Sequence, residues 1–154
     1  MLYKTYRFYN DGIEMMIPSH FKETKTFAAV QNSFASDNKR VVVNIARGAG
    51  SITQEQLAAR MNVYYKEFTR EVLEFDCIAR KERQFLGDVF GELKYHSNML
   101  GYPFYNVFIL GVYGGRELIV TMQCVQEEEA NNARIFDNIA DSIRILKKGQ
   151  DAED

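Results

Sequence analysis

Two histidines and two cysteines are the side chains of this sequence best suited to metal binding or nucleophilic chemistry, and their placement argues against both. His20 lies in a loop after Pro18, while His96 shares a strand face with Glu92 and Lys94, so no His/Cys spacing assembles a metal cluster. Cys77 and Cys124 sit far apart in apolar, strand-like segments without a basic neighbour to favour a thiolate. Both read as small buried thiols, reduced in a cytoplasm. The chain carries no Gly-x-Ser-x-Gly elbow, no phosphate-binding glycine loop and no His-Glu-x-x-His helix. No catalytic residue, metal ligand or cofactor site is assigned, and the reading is non-enzymatic.

The remaining chemistry-bearing groups have structural explanations. Gly48-Ala49-Gly50 precedes a helix and offers amides to an anion, but a tight strand-to-helix connection accounts for it. Glu127, Glu128 and Glu129 suit the positive end of a helix dipole, and Glu67, Glu71 and Glu74 a solvated helix face. Arg80-Lys81-Glu82-Arg83 reads as a solvated strand edge. Phe90, Tyr95, Tyr102, Phe104, Tyr105, Phe108 and Tyr113 offer rings for base stacking, yet the chain has 19 Lys and Arg against 21 Asp and Glu. That net charge of −2 leaves no basic surplus for nucleic acid or a polybasic membrane anchor. Core packing is the expected role of these rings.

Two helices must organise these groups. Thr53 and Gln56 form a capping-box pattern, and Ile52 and Leu57 occupy the staple positions, so a helix is predicted from about Gln54 to Glu71. Its apolar stripe is Leu57, Met61, Tyr64 or Tyr65, Phe68 and Val72. A second helix is predicted from about Glu128 to Arg144, burying Phe136, Ile139, Ala140 and Ile143, with cations near its end at Lys147-Lys148. Period-2 segments between turn signals predict strands at about Tyr3–Phe8, Ile13–Ile17, Thr26–Phe34, Arg40–Ala46, Asp76–Phe85, Val89–Asn98, Phe104–Tyr113 and Glu117–Val125.

Short turns between successive strands imply hairpins, and helices grouped after four strands imply α+β: a single mainly antiparallel sheet flanked by two main helices. One domain is expected over residues 1–148, with a frayed polar tail at 149–154. The N-terminus has charges interrupting its apolar pairs and no leader pattern. Wholly apolar runs such as Val41 to Val43 and Val107 to Leu110 are far short of the ~20 residues of a membrane span. A cytoplasmic protein, not integral to a membrane, is expected.

The Gly114-Gly115 turn fixes the register of the last hairpin, because a two-residue loop makes opposed residue numbers sum to 229. One face then carries Tyr105, Val107, Ile109, Gly111 and Tyr113 with Leu118, Val120, Met122 and Cys124, and is expected beneath the helices. The other carries Phe104, Phe108, Leu110 and Val112 with Ile119 and Val125, interrupted by Asn106, Thr121, Gln123 and Glu117. Either a helix or the N-terminal strands cover this second face, or it is an open apolar groove that takes a hydrophobic or helical peptide. On the open reading Phe104, Asn106, Phe108, Leu110, Val112, Ile119, Thr121 and Gln123 are the partner-binding residues.

Several motifs line up in order over roughly residues 3 to 146: Ile13-Glu14-Met15-Met16-Ile17-Pro18-x-x-Phe21, Gly87-x-x-x-Gly91-x-x-x-Tyr95, the Gly114-Gly115 hairpin and Phe136-x-x-Ile139-x-x-Ser142-Ile143. Together they resemble the DcrB-type branch of the PsbP-like α/β/α sandwich superfamily. One departure is Phe21, where the family more usually has Trp. The layout is similar to the short, leaderless members that act as effector-associated chaperones of type VI secretion. The resemblance implies a chaperone or adaptor that cradles a hydrophobic helical segment on its sheet, typically as a homodimer. Two other readings stay open: a small-ligand or enzyme domain whose aromatic pocket is lined by Tyr residues and His96, and a structural module that dimerises through the same face.

Overall fold

Five strands, a helix, four strands, a second helix and a short last strand follow one another in the computed structural model, which describes residues 1–25 and 31–146. The strands are β1 (Tyr3–Phe8), β2 (Ile13–Pro18), β3 (Lys22–Lys25), β4 (Asn32–Ala35), β5 (Val42–Ser51), β6 (Asp76–Phe85), β7 (Asp88–Met99), β8 (Tyr102–Tyr113), β9 (Arg116–Val125) and β10 (Arg144–Ile145). Helix α1 spans Leu57–Glu71 after a 3-10 turn at Gln54–Gln56, and α2 spans Glu129–Asp141 after one at Gln126–Glu128.

A seven-stranded antiparallel sheet in the order β3-β4-β5-β9-β8-β7-β6 forms the centre. Strands β6 to β9 are a meander of hairpins, and its last strand returns to pair with β5. The chain must therefore travel from β5 to the far edge at β6, and α1 makes that crossing over one face of the sheet. The N-terminal strands do not join this sheet. They form a separate three-stranded one, β1-β2-β10, which lies with α2 over the opposite face.

The two faces build two cores. Phe34, Val43, Ile45, Tyr105, Val107, Ile109, Val120 and Met122 pack against Ile13, Met15 and Ile17 of the small sheet and Phe136, Ile139 and Ile143 at and after α2. Across the sheet, Leu57 and Met61 of α1 pack with Ile52, Leu93, Phe108 and Leu110, and Tyr64, Tyr65 and Phe68 extend the contact. The expectation that both helices share the first face is corrected by this arrangement. The hairpin register is as expected, from Phe104 opposite Val125 to Tyr113 opposite Arg116, and Gly114 and Gly115 adopt φ +58° and +75° as such a turn requires. The Gln56 side chain accepts the Thr53 N–H at 3.0 Å, and Ile52 and Leu57 are buried together, so the helix start is also as read.

Three boundaries differ. The second helix stops at Asp141 rather than running to Arg144, because the backbone beyond it pairs with β2 and the Ser142 hydroxyl accepts the Met16 N–H at 2.9 Å. Of the strand expected at Thr26–Phe34, residues 26–30 lie outside the described residues, and Asn32–Phe34 fall in β4, which pairs antiparallel with β3. Strand β5 runs on through Gly48 and Gly50. The tail at 149–154 and the Lys147-Lys148 pair also lie outside the described residues.

Candidate functional site

The partner-binding residues read from the sequence do share one face of β8 and β9, but α1 divides that face in two. Phe108 is 4% exposed and Leu110 0%. The Phe108 ring lies 4.9 Å from that of Tyr64 and 5.2 Å, edge-on, from that of Phe68. These two residues are core, which corrects the expectation of an open surface there; Val112 and Ile119 are half-buried against the same cluster. The crossing from β5 to β6 obliges α1 to lie on this face, and its aromatic stripe removes these side chains from water.

Beyond the helix the face stays open. A shallow cavity of about 200 Å³ is lined by Val42, Asn44, Tyr95, Asn106, Thr121 and Gln123. Register places Ser33, Asn44 and Thr121 in one row across β4, β5 and β9, and Val42, Gln123, Asn106 and Tyr95 in the next row across β5, β9, β8 and β7. The Ser33 hydroxyl donates to Asn44 Oδ1 at 2.5 Å, and Asn44 Nδ2 donates to Thr121 Oγ1 at 3.4 Å. In the second row Gln123 Nε2 donates to Asn106 Oδ1 at 2.8 Å, and Asn106 Nδ2 donates to Ser97 Oγ at 2.9 Å. Phe104 and Val125, half-buried and paired, follow at the end of the strip.

This strip is uncharged. Burial also raises the Tyr95 phenol, keeping it neutral. Asn106 is 5% exposed and its amide is occupied, donating to Ser97 and the Tyr95 carbonyl and accepting from Gln123, which corrects its expected place on an open surface. The half-buried Asn44, Thr121 and Gln123 retain donor and acceptor capacity beyond the bonds they make, so the strip suits an uncharged segment that combines apolar contact with a few hydrogen bonds. Asn106, Thr121 and Gln123 were read from the sequence; Asn44, Ser33 and Val42 were not. Alternation along Arg40–Ala46 carried the facing of Val42 and Asn44, but the pairing of β5 with β9 is a contact between distant segments.

The helix that frames the strip is fastened by a buried carboxylate. Glu117, 3% exposed, accepts from Arg60 Nη1 at 2.5 Å and from the Tyr64 hydroxyl at 2.9 Å. Burial, then the hydrogen bond to Glu117 and its charge, drive the Tyr64 phenol well above its ordinary value. A Cβ on Gly48 would overlap the Glu117 side chain, and one on Gly50 would meet Arg60 Nη1 at 2.6 Å. The Gly48-Ala49-Gly50 motif thus makes room for an ion pair. Beside it the Arg47 guanidinium lies over the Tyr113 ring at 4.8 Å and donates to the Glu117 carbonyl at 3.1 Å.

On the other face, chemistry-bearing residues pair off between α2 and the β6–β7 edge. His96 Nε2 lies 2.6 Å from Glu129 Oε1, and Arg83 pairs with Glu92 at 2.7 Å, Asp137 at 2.9 Å and Asp141. Burial works against the Arg83 charge, but the hydrogen bond and field of Glu92, with Asp141 and Asp137, outweigh it and raise its pKa. Arg83 is thus a largely buried network residue and departs from the solvated edge expected for Arg80 to Arg83, while Arg80, Lys81 and Glu82 are exposed on edge strand β6 as expected. His96 faces away from Phe104 and Phe108 because side chains alternate along β7 and β8, so the pocket of tyrosines and His96 on that face does not form. Among the described residues no group of His, Cys, Asp or Glu has the arrangement to hold a metal ion. Burial, then Glu128, pushes the Cys124 thiol up to about 11, the Asn132 hydrogen bond notwithstanding.

No helix among the described residues is long and apolar enough to cross a membrane. No protein-family sequence model matches the chain, and neither does any curated protein. Solved structures do match. The solution structure of cyanobacterial PsbP (CyanoP) from Synechocystis sp. PCC 6803 aligns with a TM-score of 0.69 at 14% identity, covering 94% of this chain and 92% of that one. A Pseudomonas aeruginosa protein of unknown function, PA94, aligns at 0.61 and 12% identity, over 96% and 100%. LpqN, involved in cell envelope biogenesis of Mycobacterium tuberculosis, aligns at 0.58 and 9% identity, over 95% and 91%. At such identities the likeness concerns architecture, and the chain has the PsbP-like α+β sandwich fold.

Proposed function

We propose that the chain is a non-enzymatic adaptor or chaperone that holds a hydrophobic, helical segment of a partner protein against the open half of its sheet. One observation carries the reading: beside α1, an uncharged strip runs over β4, β5 and β9 with Asn44, Thr121 and Gln123 at its centre. Three adjacent strands span about 10 Å from first to last, which matches the ~10–12 Å diameter of a helix. A guest helix would lie next to α1 and extend the helical layer that α1 begins. Phe104 and Val42 supply apolar contact, and the amide rows supply hydrogen bonds. The chaperone-like members of the DcrB-type branch suggest a secreted effector as client, a cytoplasmic setting and a homodimeric form, and the two free cysteines suit a reducing compartment.

The test is purification of the chain from its native cell, with mass spectrometry of the proteins that accompany it, beside the variant Thr121→Lys. The expected result is a client containing a hydrophobic helical segment, lost from Thr121→Lys while that variant keeps wild-type circular dichroism. A client that remains bound to well-folded Thr121→Lys, or none with such a segment, overturns the reading.

A further inference from the structure

At the end of the sheet, the β7–β8 hairpin closes on Leu100-Gly101, and its leucine is conformationally and hydrophobically misplaced. Leu100 has φ +54° in a turn whose residues are both left-handed, a position that favours Asn, Asp or Gly, and it is 91% exposed. Met99 and Tyr102, the residues on either side of the turn, are also exposed, Tyr102 by 65%. Leu73, another exposed leucine, is tied to the hairpin by the Asn98 N–H, which its carbonyl accepts at 3.0 Å. The same turn recurs between β6 and β7, where Leu86 has φ +50° and is 83% exposed, but there the adjoining Phe85 packs against the core. Of these two turns, the β7–β8 tip is the one that gathers several exposed apolar side chains. Strained residues that persist at such a position point toward function.

The surroundings of the tip define what it meets. Exposed Glu74 follows Leu73 on one side, and exposed Glu127 lines a cleft with Tyr102, Pro103 and Val125 on the other. The segments 71–76, 98–103 and 125–129 hold no Lys, Arg or His; of their six acidic residues Glu128 pairs with Arg40, and Asp76 and Glu129 face His96, which leaves Glu71, Glu74 and Glu127 without an ion pair among the described residues. An apolar tip flanked by carboxylates is repelled by an anionic lipid surface and complements a cationic one.

We propose that the Met99-Leu100-Gly101-Tyr102 tip is a second docking site, for a cationic amphipathic segment of another protein. Leu100 and Tyr102 enter its apolar side, while its Lys or Arg side chains meet Glu74 and Glu127. The cleft adjoins the end of the open strip at Val125, but the contacts proposed for it, Leu100, Tyr102, Glu74 and Glu127, lie outside that strip.

The chain has no tryptophan, so Tyr102→Trp provides a fluorophore at the tip without background. The full chain carrying it is titrated with a synthetic amphipathic helix of Leu and Lys, and separately with phosphatidylcholine vesicles with and without phosphatidylglycerol. The expected result is a saturable blue shift with the peptide, weakened by salt and absent with vesicles. Adding Leu100→Asn, which suits the left-handed turn, should weaken binding roughly tenfold or more, as should Glu74→Lys with Glu127→Lys. Leu86→Asn, the same exchange in the other turn, should leave binding unchanged. A blue shift with vesicles rather than peptide, no shift with either, or peptide binding indifferent to Leu100→Asn or to the charge reversals would each overturn the proposal.

Discussion

Phe108 and Thr121 face each other across β8 and β9 and project from the same side of the sheet, yet their truncation should have very different consequences. Phe108→Ala removes a ring that is 4% exposed and wedged against Tyr64 and Phe68. Loss of transfer free energy plus the cavity left behind costs about 3 to 5 kcal/mol, and the edge-on pairing with Phe68 favours the upper part of that range. Thr121→Ala takes a half-exposed hydroxyl from the open strip and should stay within about 0.5 kcal/mol. Urea unfolding followed by circular dichroism separates the two. With a slope of about 2 kcal/mol per molar, Phe108→Ala should lower the midpoint by roughly 2 M, and Thr121→Ala should barely move it. If Phe108→Ala unfolds within about 1 kcal/mol of wild type, or if Thr121→Ala costs as much as Phe108→Ala, then α1 does not divide the face as described and the open strip loses its basis.

Gly48→Ala should destabilise by about 2 to 4 kcal/mol in the same assay, because the added methyl displaces Glu117 from Arg60 and Tyr64 and leaves a buried charge poorly paired; unchanged stability would mean that this ion pair does not hold α1. Alkaline titration should also destabilise the fold. Cys124 is pushed up to about 11 and Tyr105 to about 12, burial being the main cause of each, whereas in the unfolded chain they ionise near 9 and 10. The unfolded state thus loses protons first, so stability present below about pH 9 falls as pH rises toward 12, with Cys124 alone contributing about 2 to 3 kcal/mol. A Cys124→Ala variant should show a shallower decline between pH 9 and 11 in denaturation midpoints, and an unaltered slope would count against the burial argument.

Local rules made several elements readable in advance. A two-residue Gly-Gly turn admits one register, so the facing of every residue on β8 and β9 followed from their numbers. Thr53, Gln56, Ile52 and Leu57 marked the start of the first helix because capping and stapling act within one turn of chain. Asn106, Thr121 and Gln123 could be placed together for the same reason. Which layer covers which face was not readable, since both faces of β8 are apolar and an alternating pattern says nothing about the occupant above it. That was settled by the path from β5 to the far edge at β6, which carries α1 across the face of Phe108 and Leu110. The end of α2 was likewise set by backbone pairing with β2, more than a hundred residues away in sequence. Glu117 with Arg60, and Arg83 with Asp137 and Asp141, meet across 54 residues or more. Charges that look solvated along a strand become buried partners once a helix descends on them, because the energy of a charge depends on the groups brought around it in space rather than on its neighbours in the chain.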